Sequence, residues 1–152
     1  MKFHPLSLAT MFALTIGAPL AAQDAAPTGD AEAGERAFNQ CKSCHMIEGP
    51  DEVIARGGQV GPNLYGVAGR QAGSVEDFRY SDLMVAAGEQ GLNWNEDDFT
   101  VYVQDATAFL QEYTGESGRG KMTFKLRKEE DAADIWAYLV SVGPETEETA
   151  TN

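Results

Sequence analysis

The stretch Cys41-Lys42-Ser43-Cys44-His45 is the most informative part of this chain of 152 residues. On a helical turn, residues three and four apart share a face, so both thiols and the imidazole point the same way. In an exported protein, a C-x-x-C-H run is typical of c-type haem attachment. The motif therefore predicts one haem c, bound covalently through Cys41 and Cys44, with His45 as an axial iron ligand.

Two other interpretations of the cysteines fit the sequence less well. A thioredoxin-like redox pair usually lies in a βαβ pattern, which is not apparent here. A zinc site needs four ligands, whereas the chain has two cysteines and one histidine beside them, with no second pair to complete a tetrahedron. A thiol oxidoreductase and a zinc protein remain as alternatives.

The N-terminus has the pattern of a secretory signal peptide. Lys2 precedes an apolar stretch over residues 6–20, and Leu20-Ala21-Ala22 forms a small-residue cleavage site. Because Pro19 interrupts the run and the run is short for a membrane span, a retained anchor is the weaker alternative. We predict a signal peptide over residues 1–22, a periplasmic mature protein and no stable membrane insertion.

Composition indicates a single acidic domain. Removing the first 22 residues leaves 130 and deletes Lys2 but no carboxylate, so the formal net charge changes from −13 to −14. Such a charge disfavours nonspecific binding to nucleic acid or anionic lipid, which are also negative. We expect one domain over residues 23–143 and an acidic, disordered tail over residues 144–152.

The second axial ligand is predicted by elimination among the remaining donors. His4 leaves with the signal peptide, so a methionine is the usual alternative to a second histidine. Met46 follows His45 directly and cannot reach the opposite haem face. Met84 lies in an amphipathic segment where apolar side chains are expected in the core. Met122 lies in a glycine-containing loop, residues 118–124, and is the predicted ligand, with Met84 as the alternative.

Local signals predict a helical protein with long loops rather than a sheet. Asp30 is a candidate N-cap for a first helix that runs into the cysteine motif, and Asn95 for a second helix with an acidic first turn. A last helix is expected over residues 128–142, followed by a Gly-Pro stop signal. The glycine-rich residues 49–75 are predicted as loop.

Further motifs accompany the haem-attachment signal along the chain. They are Gly34 and Phe38, Gly61-Pro62-Asn63-Leu64-Tyr65-Gly66, Gly69-Arg70, Tyr80, Trp94, Tyr102-Val103-Gln104-Asp105, Lys121-Met122-Thr123-Phe124 and Ile135-Trp136-Ala137-Tyr138-Leu139. With these residues, nearly all of the mature chain resembles the class I cytochromes c, most closely the bacterial c2-type carriers. The resemblance implies an all-α fold with N- and C-terminal helices packed across each other around the haem.

The resemblance also implies roles for individual residues. The implied haem pocket consists of Pro62, Arg70, Tyr80, Trp94 and Tyr102. In similar proteins the proline carbonyl binds the second nitrogen of the haem histidine, and the tyrosine near position 102 hydrogen-bonds near the methionine sulfur. The arginine, the other tyrosine and the tryptophan surround the haem propionates. Without the resemblance, Pro62 would be interpreted as part of a turn, and Trp94 and Tyr102 as core residues.

Two structural details follow from the same resemblance. Gly34 and Phe38 are similar to the residues that pack against an aromatic side chain of the last helix, here Tyr138. Relatives commonly carry proline where this chain has Ala106, which implies a softer break between two short helices.

Coordination by His45 and Met122 would leave the iron no open position, which predicts a single-electron carrier rather than an enzyme. The alternative is a haem enzyme or gas-binding protein with a labile sixth ligand. By resemblance, the donor would be a quinol-oxidising membrane complex. The acceptor would be a terminal oxidase, a photosynthetic reaction centre or a reductase, in a respiratory or photosynthetic chain. We expect a monomer.

Positive charge is concentrated near the predicted ligand Met122. Of the ten basic residues that follow the signal peptide, five fall within residues 119–128: Arg119, Lys121, Lys125, Arg127 and Lys128. We hypothesise that this basic segment rims the haem edge and steers it to acidic partner surfaces. The alternative is an ordinary solvated loop.

Cleavage of the signal peptide is directly testable. We expect the mature protein to begin at Gln23, because Leu20-Ala21-Ala22 presents small residues before the predicted cut. Intact-mass spectrometry of the purified protein checks this. A mass that retains Met1 would contradict the prediction.

Overall fold

The computed structural model describes residues 26–144. The predicted signal peptide lies outside the described residues, as does the predicted acidic tail apart from Pro144. The described chain is mostly helical, with one short antiparallel hairpin. Its helices are α1 (Ala31–Ala37), α2 (Asp82–Glu89), α3 (Glu96–Gln104), α4 (Ala106–Thr114) and α5 (Glu129–Ser141), and its strands are β1 (Ile47–Glu48) and β2 (Val53–Ala55).

Side-chain caps determine where the predicted helices begin. The Asp30 carboxylate accepts a hydrogen bond from the Ala33 amide at 2.7 Å, and the Asn95 side chain accepts one from Asp98 at 2.9 Å. Each bond satisfies a backbone N–H that has no partner within its own helix. A 3₁₀ turn, Phe38–Gln40, continues α1 into the cysteine motif. Both predicted N-caps are therefore confirmed.

A single non-helical residue, Asp105, separates α3 from α4 just before Ala106. Asp105 ends α3 and caps α4, with φ −155° and ψ 87°, and its carboxylate accepts a hydrogen bond from the Ala108 amide at 3.1 Å. An extended capping residue interrupts helical geometry without a proline. Asp105 also forms an ion pair with Lys125, in the loop that follows α4.

The predicted loop over residues 49–75 contains a strand, so that part of the prediction is wrong. Strand β2 pairs with β1 through Ile47 opposite Ala55 and Glu48 opposite Val53, with a register irregularity between the two pairs. Ile47 is completely buried, so the hairpin packs against the core. Such short strands lack the alternation of apolar and polar residues that reveals longer ones.

Helices α1 and α5 pack closely across each other. A Cβ on Gly34 would overlap the Asp134 carbonyl and lie 2.9 Å from the Tyr138 Cβ, so the absence of a side chain permits the contact. One turn further, the Phe38 and Tyr138 rings lie 5.7 Å apart. The packing of Gly34 and Phe38 against Tyr138 is confirmed.

Aromatic side chains connect α3 to its neighbours on both sides. The Phe99 and Trp136 rings, on α3 and α5, have centroids 5.2 Å apart, and Tyr102 contacts Phe109 of α4 at 5.9 Å. Trp94 packs edge-on against Tyr102 at 4.8 Å. These contacts form the apolar frame of a central cavity. None of the helices within residues 26–144 has the length and apolar character needed to cross a membrane.

The α1–α5 contact predicts a stability defect for Gly34→Ala. The added methyl group cannot fit against the Asp134 carbonyl, so the helices must separate, at a cost of about 2–3 kcal/mol in the free energy of unfolding. Denaturant unfolding of the purified protein, followed by circular dichroism, measures this loss. Glu35→Ala, an exposed position on the same helix, is the matched control and should change stability by no more than about 0.5 kcal/mol. Equal stability of the two variants would contradict the packing argument.

Candidate haem site

The frame encloses a cavity of about 330 Å³ with mostly apolar walls. It is lined by the cysteine motif, the loops around residues 60–70 and 121–124, and helices α2 to α5. All nine site residues predicted from the sequence line it: Cys41, Cys44, His45, Pro62, Arg70, Tyr80, Trp94, Tyr102 and Met122. The fold thus brings together residues that are up to 81 positions apart in the sequence.

The cysteine motif forms a hydrogen-bonded turn on the cavity wall. The Cys44 and His45 amides both donate to the Cys41 carbonyl, at 3.1 and 2.9 Å. Both cysteines are free thiols, partly buried beside the cavity. Burial, with a smaller effect of nearby Cys44, raises the pKa of the Cys41 thiol to about 11, so this group is protonated at neutral pH.

The imidazole of His45 is oriented by the backbone of Pro62. Its Nδ1 lies 2.8 Å from the Pro62 carbonyl oxygen, and since a carbonyl only accepts, Nδ1 carries the proton. The Nε2 lone pair is then free to bind a metal. Burial lowers the pKa of His45, partly offset by the Pro62 bond, which favours the neutral imidazole. The resemblance to class I cytochromes c implies this hydrogen bond between the Pro62 carbonyl and the second nitrogen of the haem histidine, and the structure contains it.

A glycine-rich loop, residues 57–62, lies directly against the motif. The amide of Gly58 donates to the Lys42 carbonyl at 2.9 Å, and that of Gly61 donates to the Cys44 carbonyl at 2.8 Å. A Cβ on Gly61 would lie 2.6 Å from the His45 Nδ1 atom, so the ring occupies space that any other residue would need. This close approach keeps the histidine on the cavity wall.

Polar groups of the cavity are held by backbone contacts. The guanidinium of Arg70 donates to the carbonyls of Tyr65 and Asn63, at 2.9 and 3.0 Å.

Burial changes the pKa values of three polar side chains in the cavity. It lowers the pKa of Arg70 and raises the pKa of Tyr80, while the charge interaction between these two side chains partly opposes both shifts. Burial also raises the pKa of Tyr102 well above its usual range, so its hydroxyl remains a proton donor.

Two methionines line the cavity, rather than one. Met122 lies on the loop after α4 and is partly buried, whereas Met84 lies on α2 and is 7% exposed. The buried position of Met84 was expected from its helix, but helical spacing does not indicate that a core residue borders a cavity. Met46 contacts Gln59 instead, with the Gln59 amide nitrogen 3.8 Å from its sulfur.

These donors fit a covalently bound haem. Two thiols from one turn, a neutral imidazole with a free nitrogen and a thioether share one apolar cavity, while Arg70, Tyr80, Trp94 and Tyr102 supply hydrogen-bond donors for carboxylates. Within residues 26–144 no three side chains among His, Cys, Asp and Glu come together as a metal-binding group. A zinc site is therefore not formed by the described part of the chain.

Comparison with known proteins gives concordant matches. The Cytochrome c family model matches residues 31–143. Cytochrome c2 of Rhodovulum adriaticum is 54% identical over 119 residues, covering 76% of this chain and 94% of the relative. Cytochrome c2 of Cereibacter sphaeroides is 50% identical over 146 residues, covering 93% of this chain and 97% of the relative.

Solved structures give the same result for the fold. The crystal structure of cytochrome c2 from Rhodobacter sphaeroides superposes with a TM-score of 0.75 at 54% identity, covering 78% of this chain and 99% of that one. Ferric cytochrome c-550 from Paracoccus versutus superposes with a TM-score of 0.71 at 47% identity, covering 76% and 99%. The chain therefore belongs to the cytochrome c family, as a class I, c2-type electron-transfer protein with one covalently bound haem c.

Proposed function

We propose that the protein carries single electrons in the periplasm through a haem c whose axial ligands are His45 and Met122, and whose thioether bonds come from Cys41 and Cys44. When bound, the haem supplies a one-electron iron couple. The observation that carries the ligand proposal is the Pro62 bond to His45 Nδ1, which frees Nε2 on the wall of a cavity that Met122 also lines. The periplasmic location rests on the predicted signal peptide.

Each axial residue has a defined chemical task. The Pro62 carbonyl holds the His45 ring in one orientation and increases the basicity of Nε2. A soft methionine sulfur and apolar walls both favour Fe(II) over Fe(III), which raises the reduction potential. A haem held by both residues would have no open coordination position, so the iron could change oxidation state without forming a bond to a substrate. An open coordination site, as in the haem-enzyme and gas-binding alternatives, is not favoured by the relatives, which are named cytochromes c2 and c-550.

Polar residues of the cavity would hold the haem propionates. The Arg70 guanidinium is fixed by two backbone carbonyls, so its charge is positioned before the carboxylates arrive. The Tyr80 hydroxyl and the Trp94 indole N–H are further donors on the same cavity. Together they would offset the cost of removing carboxylates from water. We assign Tyr102, on the same wall, to a hydrogen bond near the methionine sulfur.

The cavity mouth is the proposed electron-exchange surface. We define the mouth as the cavity-lining residues that are exposed: Gln40, Ser43, Val60, Lys121, Thr123 and Phe124. Val60 is 78% exposed and Phe124 39%, so the mouth presents apolar surface. Lys121 belongs to the mouth, and the other four residues of the basic segment 119–128 are exposed along the same chain segment. Positive charge beside an apolar contact suits transient docking to acidic redox partners.

Candidate partners follow from this surface and from the family. We propose a quinol-oxidising membrane complex as donor and an oxidase, reaction centre or reductase as acceptor. The chain would work as a monomer, since transient docking needs an unobstructed cavity mouth. The acidic remainder of the surface would orient the molecule in the field of an acidic partner.

The ligand assignment predicts different spectra for two methionine variants. Met122→Ala should lose the sulfur-to-iron charge-transfer band of the ferric protein and lower the reduction potential, because the thioether ligand is gone. Met84→Ala should keep the band, although it loses a buried side chain and hence stability. Absorption spectroscopy and redox titration of both proteins provide the test.

The two variants control for each other, since both shorten a methionine on the same cavity. Loss of the band in Met84→Ala alone would make Met84 the ligand. Loss in neither variant would remove methionine coordination from the proposed function.

The docking proposal predicts a salt-dependent effect of the basic segment. Lys121→Gln should reduce the second-order rate of electron transfer from the quinol-oxidising complex by about two- to threefold at low ionic strength, because less charge steers the encounter. The difference should vanish at high salt. Stopped-flow kinetics across a salt series measures both. Arg36→Gln changes the net charge equally but lies on α1, outside the cavity lining, so an equal reduction there would favour the solvated-loop alternative.

A further inference from the structure

The loop that carries Met122, residues 118–126, is tied to helix α4 by two side chains. The Gly120 amide donates to the Thr107 hydroxyl at 3.1 Å, and the Gln111 side-chain amide donates to the Gly118 carbonyl at 2.8 Å. Thr107 and Gln111 are four residues apart and share one face of α4. Both bonds end on backbone just before Met122, so they act on the position of the main chain.

Between these two bonds and the ion pair of Lys125 with Asp105, the N-cap of α4, a groove separates the loop from the helix. The groove has a volume of about 420 Å³ and is lined by residues 105–108 and 111 of the helix side and by residues 119, 120 and 122–125 of the loop. Met122 lines both this outer groove and the haem cavity. Its side chain is therefore part of the wall between them.

The groove provides space into which the 118–126 loop can move. If the Met122 sulfur left the iron, movement of the loop toward α4 would meet the groove instead of close-packed side chains. Dispersion contacts that would resist such movement are few across an open space. The resistance must then come from directed polar contacts. They are the hydrogen bonds of Thr107 and Gln111, the Lys125–Asp105 ion pair, the Leu126 amide bond to the Val103 carbonyl at 2.8 Å and, on the other side, the Lys121 ammonium bond to the Arg79 carbonyl.

We infer that Thr107 and Gln111 are positioning residues that hold the 118–126 loop and thereby slow the dissociation of Met122 from the iron. The inference rests on the proposed ligation by Met122 and extends it to residues that do not line the haem cavity. We expect a change of either side chain to alter the lifetime of the bond between the Met122 sulfur and the iron. The Met122 sulfur itself is the same atom in these variants.

The experiment measures loop opening in the haem-containing protein by two independent means. Hydrogen exchange of the Gly120 amide, followed by NMR in the ferrous protein, reports the hydrogen bond itself. The rate at which saturating imidazole replaces the sulfur in the ferric protein reports Met122 dissociation. Thr107→Val keeps the shape but loses the acceptor, and we expect both rates to rise about fivefold, the effect of one lost hydrogen bond.

Further variants separate positioning from general destabilisation. Thr107→Ser retains the hydroxyl and should restore both rates to within about twofold of the original. Gln111→Leu, at an exposed position that tolerates change, should raise the imidazole rate about two- to threefold. Thr114→Val is the matched control, because its hydroxyl donates to the Leu110 carbonyl of the same helix and accepts from the Glu116 amide just after it, but does not bond to residues 118–126. It should leave both rates unchanged.

The outcomes distinguish this inference from the proposed function. If Met122→Leu keeps the charge-transfer band and the imidazole rate of the original protein, the ligation proposal fails and the inference fails with it. If Met122→Leu loses the band while Thr107→Val and Gln111→Leu bind imidazole at the original rate, only the inference is overturned. Equal acceleration in Thr114→Val would likewise overturn it, since general loss of helix stability would then explain the effect.

Discussion

The hydrogen bond between His45 Nδ1 and the Pro62 carbonyl is the contact on which the site depends. It sets the tautomer and direction of the imidazole, so that Nε2 would be the atom that holds a bound iron. The cysteines precede His45 within one turn, so the same bond constrains where their thiols lie relative to the ring. The glycines at 58 and 61 bring the Pro62 loop close enough by hydrogen-bonding to the motif's backbone. The remaining cavity residues are arranged around this fixed point.

The two sides of the cavity are held by different kinds of interaction. On the histidine side, close packing dominates, with α1 and α5 crossing at Gly34 and the glycine loop pressed against the motif. On the methionine side, the chain is held by directed polar contacts from α4 and from the Arg79 carbonyl, beside an open groove. Close packing suits a permanent attachment, whereas a few hydrogen bonds suit a ligand whose lifetime is tuned by single side chains.

Local sequence signals were sufficient to predict where two helices begin, because Asp30 and Asn95 each cap their own helix. They were also sufficient to predict the haem-attachment site, because the whole C-x-x-C-H motif lies within one turn. Family resemblance identified the distant cavity residues, which no local pattern brings together. The hairpin at Val53–Ala55 was missed because pairing in so short a strand depends on backbone register rather than on side-chain alternation. The sequence around Thr107 does not indicate that its hydroxyl accepts a hydrogen bond from the 118–126 loop. That bond forms only because the fold brings the Gly120 amide, 13 residues later in the chain, back to α4.

The contact between Gly61 and the His45 ring has a genetic consequence. Every glycine codon begins with two guanines, and replacing either one encodes a residue with a side chain or a stop. Since the imidazole already occupies the place of a Cβ, no single missense step away from glycine leaves that ring undisturbed. We therefore expect missense changes at this glycine to be removed by selection, since each of them places side-chain atoms where the His45 ring lies.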